Sequence, residues 1–279
     1  MIVRSFIFVP THSEKMMKKA QAFPTDGVIL DLEDAVSPEE KENSRERLRN
    51  LFNQLYYGHR HVFIRINGFD TPWGREDAIV VANLHPDAVV IPKVKDYRDL
   101  EMAQEILGDI PLVAMVETPQ AILNLKNIAQ CRKLIGFFFG AADLTGELNM
   151  ELTRLREELI YFMSATVTVA RIHNLFVLDT PAFDLNDVGA LEKQARFARI
   201  MGFDGKTAIH PSQLEIINKI FSPSNEEIEW AKKVKVVFEK AISHGRGVTT
   251  LDGKMIERIH YKHALKILEY AKEIQKRGY

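Results

Sequence analysis

The sequence predicts an α/β protein: a (β/α)₈ TIM barrel over residues 1–221, followed by a C-terminal helical extension over residues 222–279. Two observations carry this prediction. Eight short apolar, β-branched or aromatic runs follow one another along the chain, and stretches with helical spacing separate them. Buried strands that alternate with amphipathic helices form parallel βαβ units, and eight such units over roughly 200 residues are typical of a closed barrel.

The predicted strands lie in the following runs: SFIFVP (5–10), GVILDLED (27–34), HVFIRIN (61–67), AVVIPKV (88–94), PLVAMVET (111–118), LIGFFFGAAD (134–143), LFVLDTP (175–181) and GKTAIHP (205–211). The stretches between them that have helical spacing include SEKMMKKAQAF, SPEEKENSRERLRNLF, YRDLEMAQEIL, AILNLKNIAQ and DVGALEKQARFARIMG. An open doubly wound sheet is the competing architecture. Against it, no G-x-G-x-x-G motif follows any of the runs.

The chain from residue 222 onwards has a different pattern. SPSNEEIEWAKKVKVVFEKAISHG predicts a capped amphipathic helix, GRGVTTLDGKMIE a glycine-containing loop, and HYKHALKILEYAKEIQKRG a final helix. Because these segments lie outside the eight units, we expect a lid or a contact with a neighbouring subunit.

The composition excludes several classes of protein. The chain has 279 residues, 27% of them charged, and a formal net charge of -1, so it lacks the basic field that nucleic acid requires. Its single cysteine, Cys131, cannot form an intrachain disulfide. The apolar N-terminal segment is too short to span a bilayer and lacks the layout of a cleaved signal. We therefore expect a cytoplasmic protein without a membrane partner.

Polar residues follow the predicted strands, at the end where barrels of this type gather their functional groups. Each one alone could be only the first solvated residue after a buried run, but carboxylates and one arginine converge on the same end of the barrel. The residues are Thr11, His12, Asp31, Glu33, Asp34, Arg65, Asn67, Lys93, Glu117, Thr118, Asp143, Asp179, Thr180 and His210.

Two carboxylates, Glu117 and Asp143, end the adjacent fifth and sixth strands. They would repel each other unless a positive charge lay between them. Ligands that are all oxygen atoms favour a hard cation, so the pair predicts a Mg²⁺ or Mn²⁺ site. Arg65 supplies a permanent cation for a carboxylate, a thioester oxygen or a developing enolate. Lys93 offers the alternative of a Schiff base, as in metal-free aldolases.

Taken together, these segments resemble the citrate lyase β-subunit-like proteins of the HpcH/HpaI aldolase superfamily. The motifs that carry the resemblance are DGVILDLEDAVSPEEK, FIRINGFDTPWG, VAMVETPQAILN, FFGAADL, GFDGKTAIHPSQLEIIN and LDGKMIE. The resemblance implies a (β/α)₈ enzyme that uses Mg²⁺ to make or break a carbon–carbon bond between an acyl thioester enolate and a 2-oxo acid. It also implies a homo-oligomer, a trimer or a multiple of one.

The resemblance also assigns roles to particular residues. It places the metal ligands at Glu117 and Asp143, the substrate arginine at Arg65, and Asp31, Glu33 and Asp34 around the metal. Ile209, His210 and Pro211 would lie by the thioester carrier, and Lys18 and Lys19 would meet its phosphates. We also expect Thr118 to bind the substrate, and Glu33 and Asp34 to take part in catalysis. An acid in the tail, here Glu257, would reach a neighbouring subunit's site and transfer a proton.

Three positions depart from the family pattern. Thr11 stands where many members have glycine after the first strand, and Ala142 stands where many have an acid. Glu257 stands where many have aspartate, and its extra methylene shifts the carboxylate by roughly an ångström or more, which can cost about a hundredfold in rate.

We therefore expect a Mg²⁺-dependent lyase that cleaves a β-hydroxyacyl thioester of the malyl-CoA, citramalyl-CoA or citryl-thioester type. A metal-dependent 2-oxo acid aldolase that uses no thioester is one alternative. A non-catalytic partner subunit that retains only the barrel is the other.

Overall fold

The computed structural model describes residues 1–277. The chain forms two compact units. One consists of Val3–Phe221, and the other contains Met1–Ile2 together with the chain from Ser222 onwards.

The first unit is a closed barrel of eight parallel strands, in which each strand pairs with the next along the chain and β1 pairs with β8. The predicted (β/α)₈ barrel is therefore confirmed. The strands are β1 (Ser5–Pro10), β2 (Gly27–Asp31), β3 (His61–Arg65), β4 (Ala88–Ile91), β5 (Leu112–Val116), β6 (Leu134–Phe139), β7 (Phe176–Asp179) and β8 (Gly205–Ala208).

Aromatic side chains fill the interior of the barrel. The ring centroids of Phe6 and Phe63 are 4.8 Å apart, and those of Phe63 and Phe138 are 6.3 Å apart. Two glycines on the same face make room for these rings. A Cβ at Gly27 would lie 2.2 Å from the Phe6 ring, and one at Gly136 would lie 2.5 Å from the Phe176 ring. The glycines are therefore required inside strands that otherwise favour bulky residues.

Helices cover the outside of the barrel, and their buried residues recur every three or four positions. In α4, for example, Leu100, Ala103 and Leu107 are buried, and a capping box between Asp96 and Asp99 begins the helix. The helices are α1 (Glu14–Ala20), α2 (Lys41–Leu51), α3 (Gly74–Ala82), α4 (Tyr97–Leu107), α5 (Pro119–Ile128), α6 (Ala141–Glu147), α7 (Ile160–Ile172), α8 (Val188–Met201) and α9 (Leu214–Phe221).

The second unit contains the helices α10 (Asn225–Ser243) and α11 (Arg258–Arg277), which agree with the two predicted helices. The predicted loop between them is wrong, because it forms an antiparallel hairpin of β9 (Val248–Leu251) and β10 (Lys254–Glu257). Asp252 and Gly253 both have positive φ angles, 49° and 76°, as the two-residue turn of a hairpin requires. The Asp-Gly pair between apolar residues was the available signal.

Along residues 1–277, we find no helix that combines the length and the apolar character needed to cross a membrane.

Candidate active site

An ion pair between neighbouring strands lies at the carboxyl ends of the barrel strands, which we call the rim. Asp31 ends β2 and Arg65 ends β3, and the two residues are register partners. Arg65 Nε donates to Asp31 Oδ1 at 2.7 Å, and Arg65 Nη2 donates to Asp31 Oδ2 at 2.6 Å. Burial alone would raise the pKa of Asp31, but the charge and hydrogen bonds of Arg65 and two backbone N–H groups lower it. Asp31 is therefore a fixed anion that orients Arg65.

Glu33 and Asp34 follow β2 and surround the remaining part of Arg65. Arg65 Nη1 lies 2.8 Å from Glu33 Oε2 and 3.3 Å from Asp34 Oδ2. Lys93 Nζ lies 3.2 Å from Glu33 Oε1, so Glu33 bridges two cations. Even so, burial and the neighbouring Asp34 and Asp31 raise the pKa of Glu33 to about 7. Glu33 is thus poised to exchange a proton near neutral pH.

Glu117 directly follows β5, and its side chain is buried. Its Oε1 accepts a hydrogen bond from the backbone N–H of Lys93 at 2.7 Å. Gly140 lies against its other side, since a Cβ there would be 2.6 Å from Glu117 Oε2. Burial, together with Glu33 and Asp143, raises the pKa of Glu117 to about 8. The protein thus holds a carboxylate where its negative charge is poorly compensated.

These groups fit a divalent cation. Asp143, in the first turn of α6, faces the same cluster, because its charge acts on both Glu117 and Lys93. Five carboxylates on the rim (Asp31, Glu33, Asp34, Glu117 and Asp143) meet three cations (Arg65, Lys93 and Lys41), which leaves two negative charges uncompensated if all five ionise. Buried Glu33 Oε2 accepts no well-directed hydrogen bond from the described residues.

Among residues 1–277, no group of three or more His, Cys, Asp or Glu side chains is arranged to hold a metal ion by itself. Two carboxylates nevertheless suit Mg²⁺, which usually keeps several water ligands and takes the rest from its substrate. Glu117 and Asp143 are the two that the sequence predicted.

Lys93 has a pKa above its ordinary value. Burial would lower the pKa, but Glu33, Asp34 and Asp143 raise it. A lysine that forms a Schiff base needs a lowered pKa, so the electrostatics of the rim argue against that alternative.

A buried network behind the rim was missed by sequence reasoning. Lys41 Nζ donates to the carbonyl oxygens of Leu32 (2.8 Å) and Glu33 (2.7 Å) and to Asn67 Oδ1 (2.7 Å). Asn67 in turn donates to Asp77 Oδ2 at 2.6 Å. The network fastens the loop that carries Glu33 and Asp34, so Lys41 positions these carboxylates.

The residues that the sequence predicts to bind the substrate or its carrier differ in their exposure. The Thr118 hydroxyl is buried and already serves the fold: it accepts from Ala121 N (3.0 Å), capping α5, and donates to Val94 O (2.9 Å). Lys18 and Lys19 are exposed in the last turn of α1, where Lys18 pairs with Glu14 at 2.6 Å. Their role in binding substrate remains a prediction.

The Ile209–Pro211 segment follows β8. Ile209 and His210 are exposed, and His210 Nδ1 accepts a hydrogen bond from Ser212 N at 3.2 Å, which caps a short 3₁₀-helix beginning at Pro211. An apolar side chain beside exposed polar groups suits a carrier contact, which also remains a prediction.

Asp179 ends β7 but turns away from the barrel interior, because Leu178 occupies the inner face. Its carboxylate pairs with Arg156 (2.7 and 2.9 Å) and Lys206 (2.7 Å). All three side chains are buried. Asp179 therefore belongs to a structural ion-pair cluster in the barrel wall.

Glu257 lies in the other unit, at the end of β10, with an exposed side chain. Its backbone N–H donates to His260 Nδ1 at 3.0 Å, and among the described residues we find no hydrogen bond or ion pair of its carboxylate. Its carboxylate is therefore available to a neighbouring molecule.

The closed barrel and its acidic rim define a (β/α)₈ protein with an enzyme-like site at the carboxyl ends of the strands. Residues 4–211 match the HpcH/HpaI aldolase/citrate lyase family, and the chain belongs to this family of enzymes. The resemblance seen in the motifs is thus confirmed.

The chain is similar to proteins with two different names. The chain is 40% identical to a (3S)-malyl-CoA thioesterase of Cereibacter sphaeroides, covering 97% of this chain and 95% of that protein. It is 30% identical to the citrate lyase β subunit of Escherichia coli, covering 91% and 88%. Among solved structures, CitE of Mycobacterium tuberculosis in complex with magnesium, acetoacetate and coenzyme A aligns with a TM-score of 0.83 at 27% identity, covering 97% and 98%.

Proposed function

We propose that this protein is a Mg²⁺-dependent lyase that cleaves the carbon–carbon bond of a β-hydroxyacyl thioester of the malyl-CoA, citramalyl-CoA or citryl-thioester type. The observation that carries the proposal is the buried Glu117 carboxylate, whose pKa is raised to about 8 beside Asp143 and Glu33. A CitE relative with bound magnesium and coenzyme A, and relatives named for malyl-CoA and citrate, support the substrate class.

Glu117 and Asp143 would hold the Mg²⁺ ion, or Mn²⁺ in its place. When bound, such an ion polarises substrate oxygen atoms as a Lewis acid. Glu33 accepts the proton of the substrate hydroxyl, because its pKa of about 7 suits a base at neutral pH.

The carbon–carbon bond then breaks, its electron pair moves into the thioester enolate, and the 2-oxo acid departs. Arg65 supplies fixed positive charge for this step, and Asp31 and Asp34 hold Arg65 in place. Glu257 of a neighbouring subunit in a homo-oligomer, such as a trimer, donates a proton to the enolate. Lys18, Lys19 and the Ile209–Pro211 segment would contact the substrate or its CoA carrier.

Hydrolysis of the thioester is the second candidate. It is favoured by the 40% identity to proteins named (3S)-malyl-CoA thioesterase, compared with 30% to a citrate lyase β subunit. Water would then attack the thioester carbon, and the products would be the free acid and CoA.

One assay separates the two reactions. Purified protein is incubated with MgCl₂ and (S)-malyl-CoA or (S)-citramalyl-CoA, and all products are quantified. A lyase yields 2-oxo acid and acyl-CoA in equal amounts, whereas a hydrolase yields malate or citramalate and a free thiol. Chelator should abolish turnover. The proposal would be overturned if neither substrate gave any product. It would also be overturned if Glu117→Ala left Mg²⁺ affinity and turnover unchanged.

The remaining alternatives make different predictions. A 2-oxo acid aldolase without a thioester would not be retained on immobilised CoA. A non-catalytic partner subunit would not exchange the methyl protons of acetyl-CoA with deuterated water, whereas an enzyme that forms the enolate would.

A further inference from the structure

Lys93 has an unusual backbone for a lysine. Its φ angle is 49°, in the left-handed region that side chains with a Cβ rarely adopt. In this conformation the backbone N–H of Lys93 faces Glu117, and its ammonium faces Glu33. The backbone N–H donates to Glu117 Oε1 at 2.7 Å, and the ammonium lies 3.2 Å from Glu33 Oε1. Strain of this kind persists where the surrounding structure requires it, and it concentrates at functional sites.

Arg65 and Lys93, both on the rim, are not equally available to a ligand. Arg65 has 7% side-chain exposure, and its guanidinium contacts the carboxylates of Asp31, Glu33 and Asp34. Lys93 has 39% side-chain exposure. Apart from the contact with Glu33, its ammonium has only a long contact of 3.9 Å with Asp34 Oδ1 among the described residues. An ammonium has three donors, so Lys93 retains capacity for an incoming anion.

We propose that Lys93, rather than Arg65, binds the carboxylate of the 2-oxo acid half of the substrate. This inference rests on the proposed lyase function for the identity of the reaction. The binding that it describes involves only the 2-oxo acid. Arg65 then stabilises the reaction through its fixed charge. The Lys93 ammonium gives up its contact with Glu33 and binds the carboxylate of the ligand instead. This exchange also frees Glu33, so binding of the acid and release of the catalytic base occur at the same ammonium.

Three variants separate the side chain of Lys93 from its backbone. Lys93→Ala removes the ammonium and keeps a Cβ in the left-handed region. Lys93→Gly removes the ammonium and relieves the strain, while the N–H that donates to Glu117 remains. Lys93→Arg retains a cation. Lys95→Ala is the control, because Lys95 is an exposed lysine two positions away that pairs with Asp70 at 3.4 Å.

Two measurements are made on each full-length protein. Calorimetric titration with pyruvate in the presence of MgCl₂ gives the affinity for a 2-oxo acid without any thioester. Thermal unfolding in chelator gives the effect on the fold. Where turnover is found with malyl-CoA, KM and kcat are measured as well.

We expect Lys93→Ala and Lys93→Gly to weaken pyruvate binding by about 10- to 100-fold, the range for loss of a charge-assisted hydrogen bond. Lys93→Arg should retain more affinity than either, and Lys95→Ala should match the wild type. Lys93→Gly should unfold about 2–4 °C above Lys93→Ala. If Lys93 had a purely structural role, Lys93→Gly, the more stable of the two variants without an ammonium, would keep its affinity for pyruvate.

Each outcome decides the inference. Equal affinity for pyruvate in all variants, or no pyruvate binding by the wild type at millimolar concentration, would overturn it. If Lys93→Gly is no more stable than Lys93→Ala, the backbone at Lys93 is not strained, and the inference loses the observation on which it rests. If the wild type binds pyruvate, the glycine variant does not, and no thioester is cleaved, the role of Lys93 stands and the proposed lyase reaction fails.

Discussion

Lys41 Nζ lies 2.7 Å from the carbonyl oxygen of Glu33, at the centre of three hydrogen bonds that hold the loop after β2. Lys41 begins α2, so the contact fastens the loop after β2 to a helix on the outside of the barrel. The Trp73 ring centroid lies 5.3 Å from the same ammonium and covers it. A buried cation therefore supports the carboxylates of the rim without being exposed to the substrate.

Lys41→Met should destabilise the protein by roughly 2–5 kcal/mol. Three hydrogen bonds are lost at about 0.5–1.5 kcal/mol each, and Asn67 Oδ1 loses its donor, whereas the Leu32 and Glu33 carbonyl oxygens keep those from Asn67 Nδ2 and Val36 N. The substitution should also lower kcat more than it raises KM, since Glu33 loses its fixed position. Urea unfolding and steady-state kinetics measure the two effects. The exposed Lys95→Met is the control, and equal stability of the two variants would show that the network does not hold the loop.

Gly140→Ala should abolish Mg²⁺ binding while leaving the barrel folded. The added Cβ would lie 2.5 Å from Glu117 Cβ and 2.6 Å from its Oε2, so the Glu117 side chain must move. Gly146→Ala is the matched control within α6, the helix that Gly140 precedes as N-cap, because a Cβ at Gly146 meets nothing within 4 Å. Calorimetric titration with MgCl₂ checks both variants. Unchanged affinity in Gly140→Ala would exclude Glu117 as a ligand.

Asp179→Asn should destabilise the protein by about 3–5 kcal/mol, because it leaves the buried cations Arg156 and Lys206 without their anion. Burial already lowers the pKa of Lys206 to about 7, despite its contact with Asp179. Lys206→Met should cost less, since the Arg156–Asp179 pair survives. Urea unfolding at neutral pH compares the two variants, and the opposite order of stability would contradict this account of the cluster.

Much of the site could be read from the order of residues along the strands. A strand alternates its faces, so the position of each polar residue relative to the core fixes its direction. Met115 packs inside the barrel and Val116 outside it, so the chain directs the next residue, Glu117, inwards. The same alternation explains why Asp179 is not a site residue: Leu178 points inwards, and Asp179 therefore points outwards.

Residues that act from outside the strands could not be found in this way. Lys41 has the sequence signature of an ordinary solvated charge in a helix, and only the packing of α2 against the loop after β2 shows its role. The sequence around Lys93 indicates only an amine, because nothing in it predicts a left-handed backbone. The roles of such residues depend on tertiary contacts, whereas the strands can be predicted from the local sequence pattern.

Glu117→Gln should change how the stability of the metal-free protein depends on pH. The folded pKa of Glu117, about 8, is above its ordinary value of 4.5, so between these values the folded protein binds more protons than the unfolded chain. The free energy of unfolding of the wild type should therefore fall as pH rises from about 4.5 to about 8. Glutamine cannot ionise, so the variant should lose part of this fall, and Glu33 should maintain the rest up to about pH 7.

The advantage of Glu117→Gln in chelator should thus be largest near pH 8, and MgCl₂ should reverse it by stabilising only the wild type. Urea unfolding at pH 5, 6.5 and 8, with chelator and with MgCl₂, measures both effects. A variant that is no more stable than the wild type at pH 8 in chelator would mean that the Glu117 charge is already compensated by the protein, and the argument for a cation at the rim would lose its main support.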